Sequence, residues 1–418
     1  MEMNTFTTLF FTAVTVNIGI HLWLSRRHIQ HILRHRAKVP NAFTDSIPLE
    51  AHQKAADYTV AGQRFGIYEL FLGTLFLLLW TVGGGFDLLD RFWRGFEWSS
   101  IATGIAVLLS AFAIMGILDI PSSLYRTFVI EEKFGFNRTT LNVFISDTLK
   151  QTLLMFTIGA PLIGVVLWLM NNAGEFWWLY VWIVWMGFSL LMMWAFPTFI
   201  APLFNKFEPL EDNELRTRIE TLLERNGFSS QGIFIVDGST RSSHGNAYFT
   251  GFGANKRIVF YDTLINDLEI DEIEAVLAHE LGHFKRKHII KQVVFMSVIS
   301  LTGLALLGWL IKQDWFFNGL GVTQPSIYMA LILFLMVSPI FSFFLGPMMA
   351  KLSRKFEFEA DEYASQHADA NKLISALVKL YKENANTLTP DPLYSAFHDS
   401  HPPAPVRIAH LESLKTAV

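Results

Sequence analysis

One pentapeptide, His279-Glu280-Leu281-Gly282-His283, combines the residue types that metal-assisted hydrolysis needs. On a helix, residues four apart share a face, so both imidazoles can reach one cation. Glu280, between them, projects close enough to take a proton from a water molecule at the metal. Two imidazoles are too few, because a catalytic zinc site uses three protein ligands and keeps one position open. The third is often a carboxylate from a later helix. Glu357, within Ser353-Arg354-Lys355-Phe356-Glu357-Phe358-Glu359-Ala360-Asp361, is the candidate. Asp361 lies four residues on, on the same helical face, placed to accept a hydrogen bond from a ligand imidazole and fix its tautomer. Glu359 is the competing ligand, but it projects about 200° away around the helix axis.

These residues must be held by elements that the composition already restricts. The chain is 51% hydrophobic and 17% charged, with 38 Phe and 12 Trp, and its mean hydropathy is +0.34. An ordinary soluble domain is about 25% charged. The expectation is a mainly α, multi-pass membrane protein carrying an appreciable polar part. A net charge of −4 without an extended basic face gives no case for nucleic-acid binding. The absence of cysteine removes disulfides, thiolate metal sites and cysteine nucleophiles.

Seven stretches approach the roughly 20 apolar residues that a span requires: Thr5–Leu24, Phe65–Thr81, Ile101–Leu118, Leu153–Met170, Trp177–Ile200, Ile289–Ile311 and Ile327–Leu345. The first has no preceding Lys or Arg and no small-x-small cleavage site, so it reads as a retained anchor. The second is the least regular, with Glu69 near its start and three glycines, Gly83 to Gly85, at its end. Arg26, Arg27, Arg34, Arg36 and Lys38 follow the first span, which places that side in the cytoplasm. Alternation then puts 121–150, 201–288 and 346–418 on the same side, together with the candidate site. The opposite loops, such as Asn171–Phe176 and Gln313–Ser326, are nearly free of basic residues.

The polar interval 205–288 reads as a compact αβ unit. It has a helix over Asn213–Asn226, short strands at Gly232–Val236 and Arg257–Tyr261, and the motif helix over Asp271–His288. The expected organisation is 1–204, a membrane region with five spans, and 205–288, the first part of a zincin-like α+β unit with a small sheet. Spans six and seven follow in 289–350, and 351–418 completes the unit. His28, His31 and His35 sit among basic residues and read as a membrane-surface helix touching headgroups. His288 reads as an interface marker, and Trp177, Trp178, Tyr180, Trp182 and Trp185 as an interfacial, lipid-facing belt.

Taken with Glu131–Asn137 (EEKFGFN), Ala201–Phe207 (APLFNKF), Ser242–Gly253 (SSHGNAYFTGFG) and His401-Pro402-Pro403 leading to Arg407, the chain resembles the type I CAAX prenyl proteases. These are intramembrane zinc metallopeptidases with seven spans. The resemblance implies one zinc ion held by His279, His283 and Glu357, with Glu280 as general base. It implies a chamber enclosed by the spans and a peptide or protein substrate with a lipid-modified C-terminus, cut after a prenylated Cys to release the last three residues. It gives Asn246 a place on an edge strand that pairs with extended substrate. It also brings His401 and Arg407 to the scissile carbonyl to stabilise the developing oxyanion. Read on their own, His401 is a rigid-loop histidine and Arg407 a cation near a helix start. The implied location is a bacterial inner membrane or an ER-type membrane.

Two other readings remain from the sequence. One is a quality-control membrane zinc protease acting on unprenylated or damaged membrane proteins; its relatives are shorter, without five spans before HELGH. The other is a non-enzymatic seven-span receptor or transporter. That reading predicts charged residues along an intramembrane path, and the spans are nearly free of them.

Overall fold

The computed structural model describes residues 4–228, 232–250 and 257–416; Gly251, Phe252 and Gly253 of the long glycine-punctuated run lie outside them. Among the described residues, six helices are long and apolar enough to cross a bilayer: Thr5–His35, Ser100–Phe134, Leu141–Asn172, Gly174–Phe204, His288–Leu310 and Ile327–His367. The second expected span lies in Leu49–Trp80, which qualifies only together with Gly85–Arg94 across a 47° bend. Gly84, at φ 79° between them, supplies that break. Four of the six start on a polar cap: Asn4, Ser99, Thr140 and Ser326 each accept a backbone N–H of the first turn.

The last of them, Ile327–His367, runs from the final apolar stretch through a tight turn at Phe343–Leu345 into Gly346–His367. That second half, the carboxylate helix, carries Glu357 and Asp361. The motif helix, Ile270–Lys285, is connected to a span nearly as directly. Its sequence pattern predicts that it continues through His288, but Lys287 adopts a left-handed conformation (φ 58°) and breaks it, so His288 opens the span helix instead.

A four-stranded sheet covers one side of the motif helix: β1 (Phe207–Pro209), β2 (Ile233–Val236), β3 (Ala247–Thr250) and β4 (Arg257–Tyr261), in the order β1-β2-β4-β3. β2 and β4 are parallel, and the two outer pairs are antiparallel. β3 is therefore an edge, aligned so that Ala247 faces Phe260 and Thr250 faces Arg257. Helix Ala370–Glu383 packs on the motif helix from another side.

Enclosure on several sides buries the apolar residues of the motif helix: Ile273, Ala275, Leu277, Ala278 and Leu281. One apolar core joins these residues to Ile219, Leu222, Ile258 and Phe260 before the last two spans and to Leu377 and Leu411 after them. Gly282 sets the approach of the two ligand-bearing helices, since a Cβ there would lie 2.9 Å from the Ala360 Cα.

Two surface readings change. His28 is buried; its Nδ1 accepts the Asp391 N–H at 3.1 Å and its ring stacks on Tyr394. The first helix is thus docked on the C-terminal segment, a contact 363 residues apart that no local pattern reveals. In the aromatic belt, Tyr180 and Trp185 face outward, whereas Trp177 is buried and the Trp182 indole donates to the Ser297 carbonyl.

Candidate metal centre

His279 and His283 project from successive turns of the motif helix with their Nε2 atoms 3.1 Å apart. Glu357 meets both. One carboxylate oxygen is 3.2 Å from His283 Nε2, and the other is 3.5 Å from His279 Nε2. The three potential ligand atoms lie within 4.8 Å of one another, the one such cluster among the described residues. Two imidazole nitrogens and one carboxylate form the donor set of a hydrolytic zinc site. Glu357 Oε2 is buried without a hydrogen-bond partner, the kind of orphaned acceptor that a cation satisfies. The residues fit a metal ion.

Asp361, fully buried, accepts a hydrogen bond from His279 Nδ1 at 2.8 Å, which turns the ligand nitrogen Nε2 toward Glu357. Arg407, buried in the first turn of helix Ala404–Thr416, clasps Asp361 through Nε at 2.9 Å and through Nη2. Its Nη1 lies 3.4 Å from Glu357 Oε2. Burial and the Arg407 charge push the His279 imidazole down, but the adjoining Asp361 and Glu357 carboxylates outweigh them and raise its pKa to about 9. A cation arriving at Nε2 therefore displaces a proton.

Glu280 lines the same cavity, of about 390 Å³, as His279, His283, Glu357, His401 and Arg407. His401 is exposed at its rim, with Nε2 3.5 Å from Glu357 Oε1. Asn246 enters the cavity wall just ahead of edge strand β3; its carbonyl accepts the Tyr261 N–H, and its side chain accepts the Ala247 N–H. Val276, Leu373 and Leu377 give the cavity an apolar flank.

Some of the supporting structure is invisible in the sequence. The Asn384 amide oxygen accepts the Gly245 N–H at 3.1 Å and lies 3.3 Å from His244 Nδ1. The His244 ring stacks on Phe136, and Glu131, which accepts from the Tyr58 hydroxyl, lies 3.7 Å from His244 Nε2. The EEKFGFN loop thereby braces the lead-in to β3. His288 is also not an interface marker: it is buried, 3.0 Å from His283 on one side and 2.9 Å from Glu359 on the other. Glu359 is not part of the ligand cluster; its carboxylate meets His288.

Residues 28–206 match the family model described as the CAAX prenyl protease N-terminal region with five membrane helices, and residues 209–415 match peptidase family M48. The CAAX prenyl protease 1 homolog of Dictyostelium discoideum is 36% identical over 89% of this chain and 88% of its own length. CAAX prenyl protease 1 of Saccharomyces cerevisiae is 34% identical over 90% and 88%, respectively. The crystal structure of S. mikatae Ste24p superposes with a TM-score of 0.90 at 32% identity, covering 98% of this chain and all of that one. With this fold around a His-His-Glu cluster, the chain belongs to the CAAX prenyl protease branch of peptidase family M48, and it is a multi-pass membrane metalloprotease.

Proposed function

We propose that this protease cleaves near the C-terminus of prenylated CAAX proteins or peptides, releasing the terminal tripeptide, and that the metal is one zinc ion held by His279, His283 and Glu357. The observation that carries the reading is the convergence of those three side chains with Glu280 on one cavity bordered by an edge strand. The substrate class comes from the relatives, which are CAAX prenyl proteases. The peptidase unit is two segments, 205–288 and 351–418, separated by the last two spans.

Zinc, when bound, lowers the pKa of water and polarises the scissile carbonyl. Asn246 and β3 align the substrate backbone by strand addition. Glu280 takes a proton from the attacking water and delivers it to the amine nitrogen as the C–N bond breaks. His401, exposed at the rim, and Arg407, fixed behind Glu357, face the carbonyl oxygen as it gains negative charge. Asp361 keeps His279 Nε2 free to ligate. Exposed Lys285, Arg286, Lys287, Lys351 and Lys355 flank the site and support its placement on the cytoplasmic face.

The test is purified wild type beside Glu280→Gln, each assayed for bound zinc and for cleavage of a farnesylated and an unprenylated CAAX peptide. The expected result is tripeptide release from the farnesylated peptide by wild type, and a loss of about 10²–10⁴-fold in the Gln variant with zinc content unchanged. Equal rates in the two proteins would overturn the mechanism. Cleavage of the unprenylated peptide alone would leave the protease and remove the substrate class.

A further inference from the structure

We propose that His288 and Glu359 are positioning residues for the metal centre: Glu359 fixes the tautomer of His288, and His288 fixes that of His283. The proposal rests on the reading of His283 as a ligand. Glu359 Oε2 lies 2.9 Å from His288 Nε2, and a carboxylate can only accept, so the proton is on Nε2. In a neutral imidazole the other nitrogen, Nδ1, is then an acceptor. That atom is 3.0 Å from His283 Nδ1, which must donate to it. His283 is left with its lone pair on Nε2, the atom that faces His279 Nε2 and Glu357. The opposite chain of donors would put a proton on His283 Nε2 and block ligation.

The relay is built rather than incidental. His288 is 2% exposed, and its ring stacks on Phe356 at 4.2 Å with an interplanar angle of 11°, so it cannot turn freely. Lys291 and Lys355 approach the Glu359 carboxylate at 3.6 and 3.7 Å and anchor it from two sides. The carboxylate helix therefore serves the centre three times within five residues. Glu357 supplies a ligand, Asp361 holds His279 directly, and Glu359 holds His283 through a second imidazole. Outer partners of this kind typically change metal affinity by 10–100-fold when removed.

The experiment compares full-length Glu359→Leu, Glu359→Gln and His288→Phe with wild type and with His283→Ala. It reads zinc affinity by chelator competition, the visible absorption of the cobalt-substituted protein, and the unfolding temperature in excess chelator. Glu359→Leu and His288→Phe are expected to lose about 10–100-fold in zinc affinity and to shift the cobalt bands. Glu359→Gln, whose amide oxygen still accepts from His288, is expected to recover most of that loss. Equal weakening in the Gln and Leu variants would overturn the hydrogen-bond argument, as would affinity within about threefold of wild type in Glu359→Leu. If His283→Ala itself kept full affinity, the ligand assignment would fail instead.

Discussion

The two candidate ligand imidazoles stand one turn apart on one helix, yet they are held in opposite ways. His279 is sealed: its support is a direct bond to Asp361, and Asp361 is clasped by buried Arg407. His283 is more open, its side chain 23% exposed, and its support arrives through His288, the first residue of a span helix. The first arrangement gathers Glu357, Asp361 and Arg407 where water cannot screen them, so it ties the ligand to the stability of the fold. The second uses a neutral ring and a partly exposed carboxylate, so it tunes the ligand at little cost to folding. The same chemical task is done by an ionic clasp on one side and by a hydrogen-bond relay on the other.

Arg407→Met tests that contrast most severely. It leaves two buried carboxylates without their cation, a change that costs about 3–5 kcal/mol. In excess chelator the variant should unfold well below wild type in detergent, while His288→Phe unfolds close to it and differs mainly in zinc affinity. If Arg407→Met and His288→Phe shifted the unfolding temperature alike, the division into clasp and relay would not hold.

A smaller effect is expected from Gly282→Ala. In an open helix this change is favourable by about 1 kcal/mol. Here the new methyl would meet the Ala360 Cα at 2.9 Å and its carbonyl oxygen at 3.0 Å, backbone atoms that cannot turn aside. The ligand helices must part, at about 1–3 kcal/mol, and Glu357 moves away from both imidazoles together. At Gly62, in the middle of Leu49–Trp80, nothing lies within 4 Å of where a methyl would stand, so Gly62→Ala is the matched control that should not lower stability. A Gly282→Ala protein with wild-type zinc affinity would show that the close approach is not what assembles the cluster.

The parts of this centre that are legible in the sequence are those set by short spacing. His279 and His283 at four residues share a face, and so do Glu357 and Asp361. Runs of apolar residues mark the spans. His288 is not legible, because five residues separate it from His283 and only the left-handed turn at Lys287 swings it back. Helical spacing says whether Glu359 can reach the metal, but it is silent on its true neighbour, a histidine on another helix. Asp361 and Arg407 read as two separate roles, since nothing across 46 residues indicates that they pair. The broken second span follows from Gly84, and β1, three residues long, is too short to carry an alternating pattern.

The smallest expected effect lies at the far end of the motif helix and asks whether stability and metal affinity can be separated there. Glu272 is buried, caps the helix by accepting the Glu269 N–H at 2.8 Å, and accepts from Ser375 at 2.6 Å and Lys379 at 2.8 Å. Burial pushes its carboxyl up, but the bonds from Lys379, Ser375 and the Glu269 backbone outweigh it and hold the pKa below the usual range. A carboxyl depressed in the folded state stabilises above its unfolded pKa of about 4.3, and that contribution is lost as the pH falls toward the folded value. Lys379 is partly exposed, so its charge is screened, and Glu272→Gln should cost only about 1 kcal/mol at neutral pH. Unfolding temperatures of the two proteins should differ by a constant amount above about pH 5 and converge below it. Zinc affinity at neutral pH should be unchanged, because the lesion sits at the opposite end of the motif helix from His279 and His283. A parallel fall in affinity would mean that the whole helix, rather than the clasp and the relay at its end, sets the ligand geometry.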